Sequence, residues 1–462
     1  MEKTLKIKLL CYLLISAIGF AYLVLPDNAG VSVPIFVIIQ AVCLYFIAPK
    51  RKPLLMFIPI FILALNSFIS ANTIWHVWNL IVAFVLYSVM TLWMMDRLAI
   101  KEVSVRFIGR ILANIFEPIE HFDVPLKWCG EAKEGNAKTA KRVLIGIVIA
   151  VPVLIFLLIM LSAADAIFSH TVSNIFSGVW TSINFYTIFK IVIGFVVGFY
   201  LFGLFYSSYQ TKPEKEIKTK ERNGDLIVLN ILLISILVVY TIFVIIQFKY
   251  LFADRNNLPY GLTYTYYARR GFFELLFLSG LNVIFILLTV WLTKAKEGNG
   301  AKFIKGLCCY LCAITIILLI SSFYRMWLYN GDDGLTRLRF LVFGFLFFEA
   351  IGLIITFFYI IKPKFNIIFV YLCIGLTYYL VLNIVPMDRI IAKDQINRYF
   401  ETGKGGIDYS LTLSADASPE IARLLNSNDD SIKASANEYL ENNAENIEVW
   451  QQWKLAPVVN SQ

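Results

Sequence analysis

Long apolar runs, separated by short polar or charged segments, make up most of this sequence. Eleven runs of about 18 or more residues carry almost no charge, and they lie at 7–25, 31–48, 54–71, 74–95, 143–163, 185–206, 226–248, 272–292, 303–324, 340–361 and 365–385. A run of this length crosses a bilayer as a helix, because lipid offers backbone amides no other partner. The pattern therefore predicts an all-α integral membrane protein with about eleven transmembrane helices.

Apolar periodicity also predicts helices outside the spans. In 102–121 and 167–183 apolar residues recur every three or four positions, as in helices that lie on a membrane surface. From residue 386 onward the chain is rich in charge, and short helical patterns recur at about 388–400, 419–427, 429–443 and 445–454. We therefore expect a small helical C-terminal tail that leans on the membrane part.

The pattern divides the chain into four parts. A four-span bundle (1–96) precedes a segment with an amphipathic helix and a linker (97–142), a seven-span core with two charged outer loops (143–385) and the tail (386–462). Lysine and arginine indicate the orientation, since they accumulate in cytoplasmic loops. With the N-terminus in the cytoplasm, 26 of the 41 lysines and arginines fall in inner segments, and eleven spans place the tail outside the cytoplasm.

Composition agrees with this pattern and argues against a nucleic-acid partner. Hydrophobic residues make up 59% of the chain and charged residues 16%, whereas a soluble domain has about 25% charged residues. The net charge of +9 follows from the basic inner segments, and no basic stripe is interleaved with aromatic residues for stacking on bases. The three histidines and seven cysteines lack metal-ligand spacing. We expect no metal, no cofactor and no catalytic residues of the soluble type.

The segment RMWLYNGDDGLTRLRF (325–340) places three arginines and two aspartates between two apolar runs. We interpret it as an outer loop that folds over the end of the bundle, meets the loop at 259–270 and is covered by the tail. The candidate anion- or headgroup-binding residues of the two loops are Arg269, Arg270, Arg325, Arg337 and Arg339. The candidate cation-binding or ion-pair acids are Asp332, Asp333 and Glu274, and the tail acids Glu401, Asp408 and Asp416 are alternative partners for the arginines.

Two charged residues lie within apolar runs. Glu349 falls near the middle of its run, where a charge in the bilayer is costly and marks a functional hypothesis. Lys190 lies nearer to the end of its span, from which a lysine can snorkel to the interface. We expect Glu349 to be protonated, to pair with Lys190 or Arg325, or to line a wet cavity.

Five blocks of sequence resemble a known family of bacterial membrane proteins. They are 150–152 with LSAADAIF (161–168), YARRGFFELL (267–276), RMWLY (325–329) with GLTRLR (334–339), DYSLTLSADA (408–417), and Trp450 with Trp453. Together they resemble the proteins of domain of unknown function 4173, which has relatives in the 4153 group. The resemblance implies a protein of the bacterial cell envelope and no established activity. The chain departs from the family at 330–333, so no role is carried over to Asp332 and Asp333.

Three functions are compatible with these features. The charged loops are structural, in an accessory or ligand-sensing protein with a cationic outer rim; or the bundle transports a solute through the region of Glu349; or the outer loops bind a lipid-linked phosphate for an envelope enzyme. We expect the protein in the bacterial cytoplasmic membrane. The expected partners are the lipid bilayer and its anionic headgroups, with a membrane-protein partner and the oligomeric state left open.

Overall fold

The computed structural model describes residues 3–26, 28–97, 105–128, 185–210, 224–251, 272–293, 298–444 and 449–455, with six single positions between 142 and 171. Over these residues the chain forms helices and no strand, which confirms the predicted all-α class.

The helices of the membrane part alternate with short connections. They are α1 (Lys3–Gly19, continued by a π-helical turn, Phe20–Val24), α2 (Ser32–Ile47), α3 (Phe57–Ile69, after a 3-10 turn, Lys52–Met56), α4 (Thr73–Met94), α5 (Val105–Phe116, before a 3-10 turn, Glu117–His121), α6 (Val124–Trp128), α7 (Phe185–Gln210), α8 (Leu226–Leu251), α9 (Phe272–Thr293), α10 (Asn299–Asp333), α11 (Arg337–Ile361) and α12 (Ile367–Ile384). The tail forms α13 (Met387–Thr402), α14 (Ile407–Ser410), α15 (Ser418–Ile421) and α16 (Asp430–Asn442), with 3-10 turns at Ala415–Ala417, Ala422–Asn426 and Trp450–Gln452.

Nine helical segments of the described chain are long and apolar enough to cross a membrane. They coincide with nine of the eleven predicted runs, and the chain is a multi-pass membrane protein. The run at 31–48 forms α2, which has only 16 residues. The run at 143–163 and the predicted surface helix at 167–183 lie outside the described residues, single positions excepted.

The chain packs as two compact units, the first comprising Met1–Lys215 with Asn446–Ala456 and the second Glu216–Glu445 with Pro457–Gln462. In the first unit α1 lies close against α7. A side chain at Gly194 would place its Cβ 2.5 Å from the Ala17 carbonyl oxygen, and one at Gly198 would place it 2.7 Å from the Ala17 Cβ. Small residues at this crossing therefore let the two backbones approach, as is common between helices in lipid.

The predicted amphipathic helix at 102–121 is present over its described residues as α5, which ends at Phe116 because the chain enters a 3-10 turn around Pro118. Its buried face is polar at one point: Asn114 Nδ2 donates to Ser88 Oγ of α4 at 2.9 Å. Leu112 and Phe116 remain exposed on the helix. This exposed apolar face suits the expected position at a membrane surface.

In the second unit α10 packs against α8, α9 and α11. Its 35 residues continue through Arg325 to Asp333, so the predicted outer loop at 325–340 is wrong over most of its length. No proline interrupts this stretch, and the helix ends only at Gly334, whose φ of 76° suits glycine. The charged residues from Arg325 to Asp333 therefore follow the apolar part of α10 without ending the helix.

The tail forms a compact helical body in the second unit. α13 begins two residues after α12 and buries Ile391 and Ile396 fully, as its sequence pattern predicts. Gly403, with a φ of 69°, ends the helix. α13 packs against α11 as well as against α14 and α15, so the tail is docked on a membrane-spanning helix.

Candidate functional site

The connection between α10 and α11 is a three-residue turn, and it carries the first part of the site. Gly334 begins the turn, and a Cβ at this position would lie 2.7 Å from Gln395 Nε2 of the tail helix α13. Thr336 ends it, where its Oγ1 accepts a hydrogen bond from the Arg339 N–H at 3.4 Å and caps α11. The turn is therefore short, and the tail lies directly against it.

Arg337, in the first turn of α11, forms a two-pronged ion pair with Asp388 of α13. Its Nε and Nη2 donate to the two carboxylate oxygens at 2.7 and 2.6 Å. The Asp388 side chain is only 1% exposed, whereas the Arg337 side chain is 31% exposed. A guanidinium matches a carboxylate in this geometry, which makes the pair both specific and strong.

Backbone groups of the same turn are bound by the tail as well. The Leu335 N–H donates to Asp394 at 2.8 Å, and Gln395 Nε2 donates to the Leu335 carbonyl oxygen at 2.8 Å. The Arg337 N–H donates to the Tyr409 hydroxyl oxygen at 2.8 Å. We call this set, Arg337 with Asp388, Asp394, Gln395 and Tyr409, the tail latch.

Asp388 is held as a carboxylate by more than Arg337. Ser414 donates to it from its hydroxyl at 2.6 Å and from its backbone N–H at 3.1 Å. Burial by itself raises the pKa of Asp388, but the hydrogen bonds from Arg337 and Ser414 outweigh it, so the pKa lies below its ordinary value. The carboxylate is therefore charged at neutral pH and fully engaged by the chain.

Two of the other arginines expected at a cationic rim, Arg325 and Arg339, are buried. Arg339 is buried; it donates to the Gly334 carbonyl oxygen, and its guanidinium carbon lies 3.8 Å from the centre of the Tyr329 ring. Arg325 is buried within α10 and does not lie in a loop. In the described structure these side chains therefore serve the packing of α10, α11 and the tail.

The remaining predicted residues fall in different places. Arg269 and Arg270 lie outside the described residues. Asp332 and Asp333 form the last turn of α10, and Glu274 is exposed in the first turn of α9. The tail acids that meet the α10–α11 turn are Asp388 and Asp394, and the partner of Arg337 is Asp388 and not one of the expected acids Glu401, Asp408 and Asp416.

The second part of the site is Glu349, at the middle of α11. It stands twelve residues from either end of the helix, about 18 Å along the axis in each direction. Glu349 is buried between the helices of the second unit, where it is 7% exposed. Neither carboxylate oxygen has a hydrogen-bond partner among the described residues. Arg325, one expected partner, lies on α10. Lys190, the other expected partner, belongs to the first unit.

Polar side chains of neighbouring helices surround this level of α11. Ser279 of α9 is close to the Glu349 carboxyl group, but its hydroxyl donates to the Leu276 carbonyl oxygen at 2.7 Å. Farther along α11, Tyr371 of α12 donates to the Gly352 carbonyl oxygen at 2.9 Å, about one turn from Glu349. It also shares a hydrogen bond with Thr356 at 2.8 Å, about two turns from Glu349. These hydroxyl groups therefore bond to one another or to backbone carbonyl oxygens, whereas the Glu349 oxygens have no hydrogen-bond partner among the described residues.

Comparison with known protein families gives one match, which assigns the chain to a family. Residues 57–424 match the model of a domain of unknown function, DUF4153, over most of the chain. The chain belongs to this family. The matched range includes both the tail latch and Glu349. Comparisons with curated proteins and with solved structures gave no match.

Proposed function

We propose that this family member is an accessory or ligand-sensing protein of the bacterial cytoplasmic membrane, whose extracytoplasmic tail is docked by the tail latch. The Arg337–Asp388 pair is the observation that supports the proposal, because Arg337 binds a buried carboxylate of the same chain and not an external anion. Arg339 supports it, since its guanidinium is held against Tyr329 and Gly334. The finer assignment to family 4173 stays a prediction from the five sequence blocks.

The alternative of a lipid-phosphate site is less well supported by this geometry. A phosphate would have to displace Asp388 from Arg337, and Asp388 would then remain buried without its partner. Leaving one member of a buried pair uncompensated costs about 3–5 kcal/mol. A phosphate-bearing lipid at this position would therefore have to bind strongly enough to offset that cost.

Removing the arginine tests the tail latch directly. We expect Arg337→Ala to release the tail, so that chymotrypsin cleaves residues 387–444 faster than in the wild type. Arg389→Ala is the matched control, because Arg389 is half exposed and lies 3.5 Å from Glu420, an arrangement worth about 1 kcal/mol or less. Its tail should stay as resistant as the wild-type tail.

Arg337→Ala also tests the alternative that this arginine binds a lipid phosphate. Binding of phosphatidylglycerol is measured by native mass spectrometry on the full-length protein. If Arg337→Ala loses the lipid but keeps a protease-resistant tail, the latch is not the function of this residue. A released tail with unchanged lipid binding supports the docking role.

Transport is a second candidate, and Glu349 is the observation that favours it. Its carboxyl group lies at the centre of a spanning helix and has no hydrogen-bond partner among the described residues. Ionisable groups at this depth are costly to keep charged, and in membrane proteins they mark proton relays and ion pathways. We propose proton or cation coupling as the function of this residue in that case.

Reconstitution tests this second candidate. Proteoliposomes with a pH-sensitive dye inside should show protein-dependent proton flux, and Glu349→Gln should abolish it without lowering the unfolding temperature. Glu274→Gln, at an exposed carboxyl group on α9, should leave the flux unchanged. Equal flux in wild type and Glu349→Gln would remove Glu349 from the mechanism.

A further inference from the structure

A cavity of about 500 Å³ lies inside the first unit, between α1, α2, α3, α4 and α7. Its size falls within the range of small-molecule sites, roughly 300–1,000 Å³. It is independent of the tail latch and of Glu349, which both belong to the second unit. Neither the family description nor the proposed function assigns it a role.

One end of the cavity is polar and the rest is apolar. Asn28, Thr73 and His76 line it where α1 connects to α2 and where α4 begins. Farther along, the wall is formed mainly by apolar and aromatic side chains as far as Tyr87 and Leu201, with Gln40, Ser67 and Asn79 among them. Thr73 and Tyr87 are fourteen residues apart on α4, so the cavity extends about 21 Å along that helix.

The polar residues in its deeper part are already satisfied within the protein. Gln40 bonds to Ser16 at 3.1 Å, Asn79 Nδ2 donates to Asn66 at 3.2 Å, and the Tyr87 hydroxyl bonds to the Tyr12 hydroxyl. Among the described lining residues none is aspartate, glutamate, lysine or arginine. The deep part therefore favours hydrocarbon. The described residues of the polar end are Asn28, Thr73 and His76, of which His76 bonds through Nε2 to the Ser70 carbonyl oxygen at 3.1 Å.

Two lining residues open the cavity toward lipid. Val77 and Leu80 of α4 are more than half exposed, on an apolar surface of a membrane-spanning helix. A molecule can thus enter sideways from the bilayer. A second groove of about 580 Å³, on the outer surface of α2 and α3, has an entirely apolar and aromatic lining, so it suits any lipid chain.

The last described segment of the chain fastens the polar end. The Gly30 N–H donates to the Gln451 carbonyl oxygen at 2.8 Å, and the Leu455 N–H donates to the Phe68 carbonyl oxygen at 2.7 Å. A Cβ at Gly30 would lie 2.3 Å from the Trp453 carbonyl oxygen, so only glycine permits this approach. These contacts hold Gly30, two residues after Asn28 of the polar end, against the last described segment.

We infer that this cavity binds a neutral lipid with a single hydrocarbon chain and a hydroxyl-bearing head, of the monoacylglycerol type. The chain lies along α4 toward Tyr87, and the head meets Asn28, Thr73 and His76. One chain fits better than two because the cavity of about 500 Å³ extends about 21 Å along α4 and is therefore narrow. A neutral head fits better than an anionic one because no basic side chain lines the described wall.

Native mass spectrometry of the full-length protein with 1-oleoylglycerol tests the inference. We expect one tightly bound molecule, at least tenfold weaker binding to Ala83→Phe, which fills the channel, and unchanged binding to Ile81→Phe. Ile81 is the matched control because it lies on the same helix, is exposed and does not line the cavity. Oleate should bind at least tenfold more weakly than 1-oleoylglycerol.

Thr73→Val provides a second arm that does not disturb the core, since Thr73 is exposed. The loss of one hydrogen bond to the head, about 1 kcal/mol, should weaken 1-oleoylglycerol binding about fivefold. If Ala83→Phe does not fold, this variant decides the matter alone. The inference is overturned if the wild type binds no 1-oleoylglycerol, if Thr73→Val binds it as the wild type does, or if the Ala83 and Ile81 variants lose it equally.

Discussion

Arg337 and Asp388 are fifty-one positions apart, and their contact explains why charge is tolerated between two spans. The guanidinium lies at the start of α11, and Asp388 lies in the first turn of α13. The sequence indicates Arg337 as a candidate site residue because it lies between two long apolar runs with few charges. It does not predict the aspartate, since Asp388 and Asp394 are two acids among many in the tail. A long-range pair of this kind cannot be read from local composition.

The lowered pKa of Asp388 gives the tail latch a defined pH dependence. A carboxyl group whose pKa is lower in the folded state adds stability above its unfolded pKa, about 3.9, and loses it as pH falls through the folded value. We therefore expect the unfolding temperature of the tail to be insensitive to this group from pH 7 to 5 and to drop below about pH 4. Asp388→Asn should lack that drop; a wild-type transition near pH 6 would require another group.

At the scale of elements, α10 shows what a charge pattern can and cannot locate. The apolar run at 303–324 predicts the membrane-crossing part, but the helix begins at Asn299 and ends at Asp333. Arginine and aspartate are compatible with helix, so their appearance does not end it; a residue that favours the left-handed region does. Gly334 is that residue, and a Cβ there would lie 2.7 Å from Gln395 Nε2 of the tail helix.

Two glycines three residues apart test this boundary. Gly331 is helical, and a Cβ there would meet nothing within 4 Å, so Gly331→Ala should stabilise the protein by about 0.5–1 kcal/mol. Gly334 has a φ of 76° and abuts Gln395, so Gly334→Ala should destabilise it by roughly 1–3 kcal/mol. Thermal unfolding of both variants measures the difference. Equal effects would place both glycines in one irregular loop, as the sequence pattern predicts.

At the scale of the whole molecule, contacts in the first unit constrain how often the chain crosses the membrane. Ser67 donates to the Gly30 carbonyl oxygen at 3.1 Å, so the two ends of the α2–α3 pair lie on one side. Both helices must then cross, although α2, at 16 residues, is only about 24 Å long and requires a thin bilayer or snorkelling flanks. This agrees with the ten apolar runs that the described residues cover.

The same reasoning extends to the end of the chain. Leu455 contacts Phe68, so the α3–α4 connection and the last described segment share a side. Seven long apolar helices (α4 and α7–α12) are described between them, and an odd number of crossings would separate them. One further crossing restores the parity. The run at 143–163, which its sequence predicts to be a span, is the candidate.

Cysteine labelling tests this parity in a variant without the native cysteines. We expect Thr73→Cys and Ser431→Cys, both at exposed positions, to react alike with a membrane-impermeant maleimide in intact cells. Lys52→Cys is also exposed but lies at the other end of α3, on the opposite side of the membrane, so it should react only after lysis. Labelling of Lys52→Cys alone would keep the parity and reverse the orientation expected from the lysines and arginines. Opposite behaviour of Thr73→Cys and Ser431→Cys would mean that the chain crosses the membrane an odd number of times between them, which excludes eleven spans.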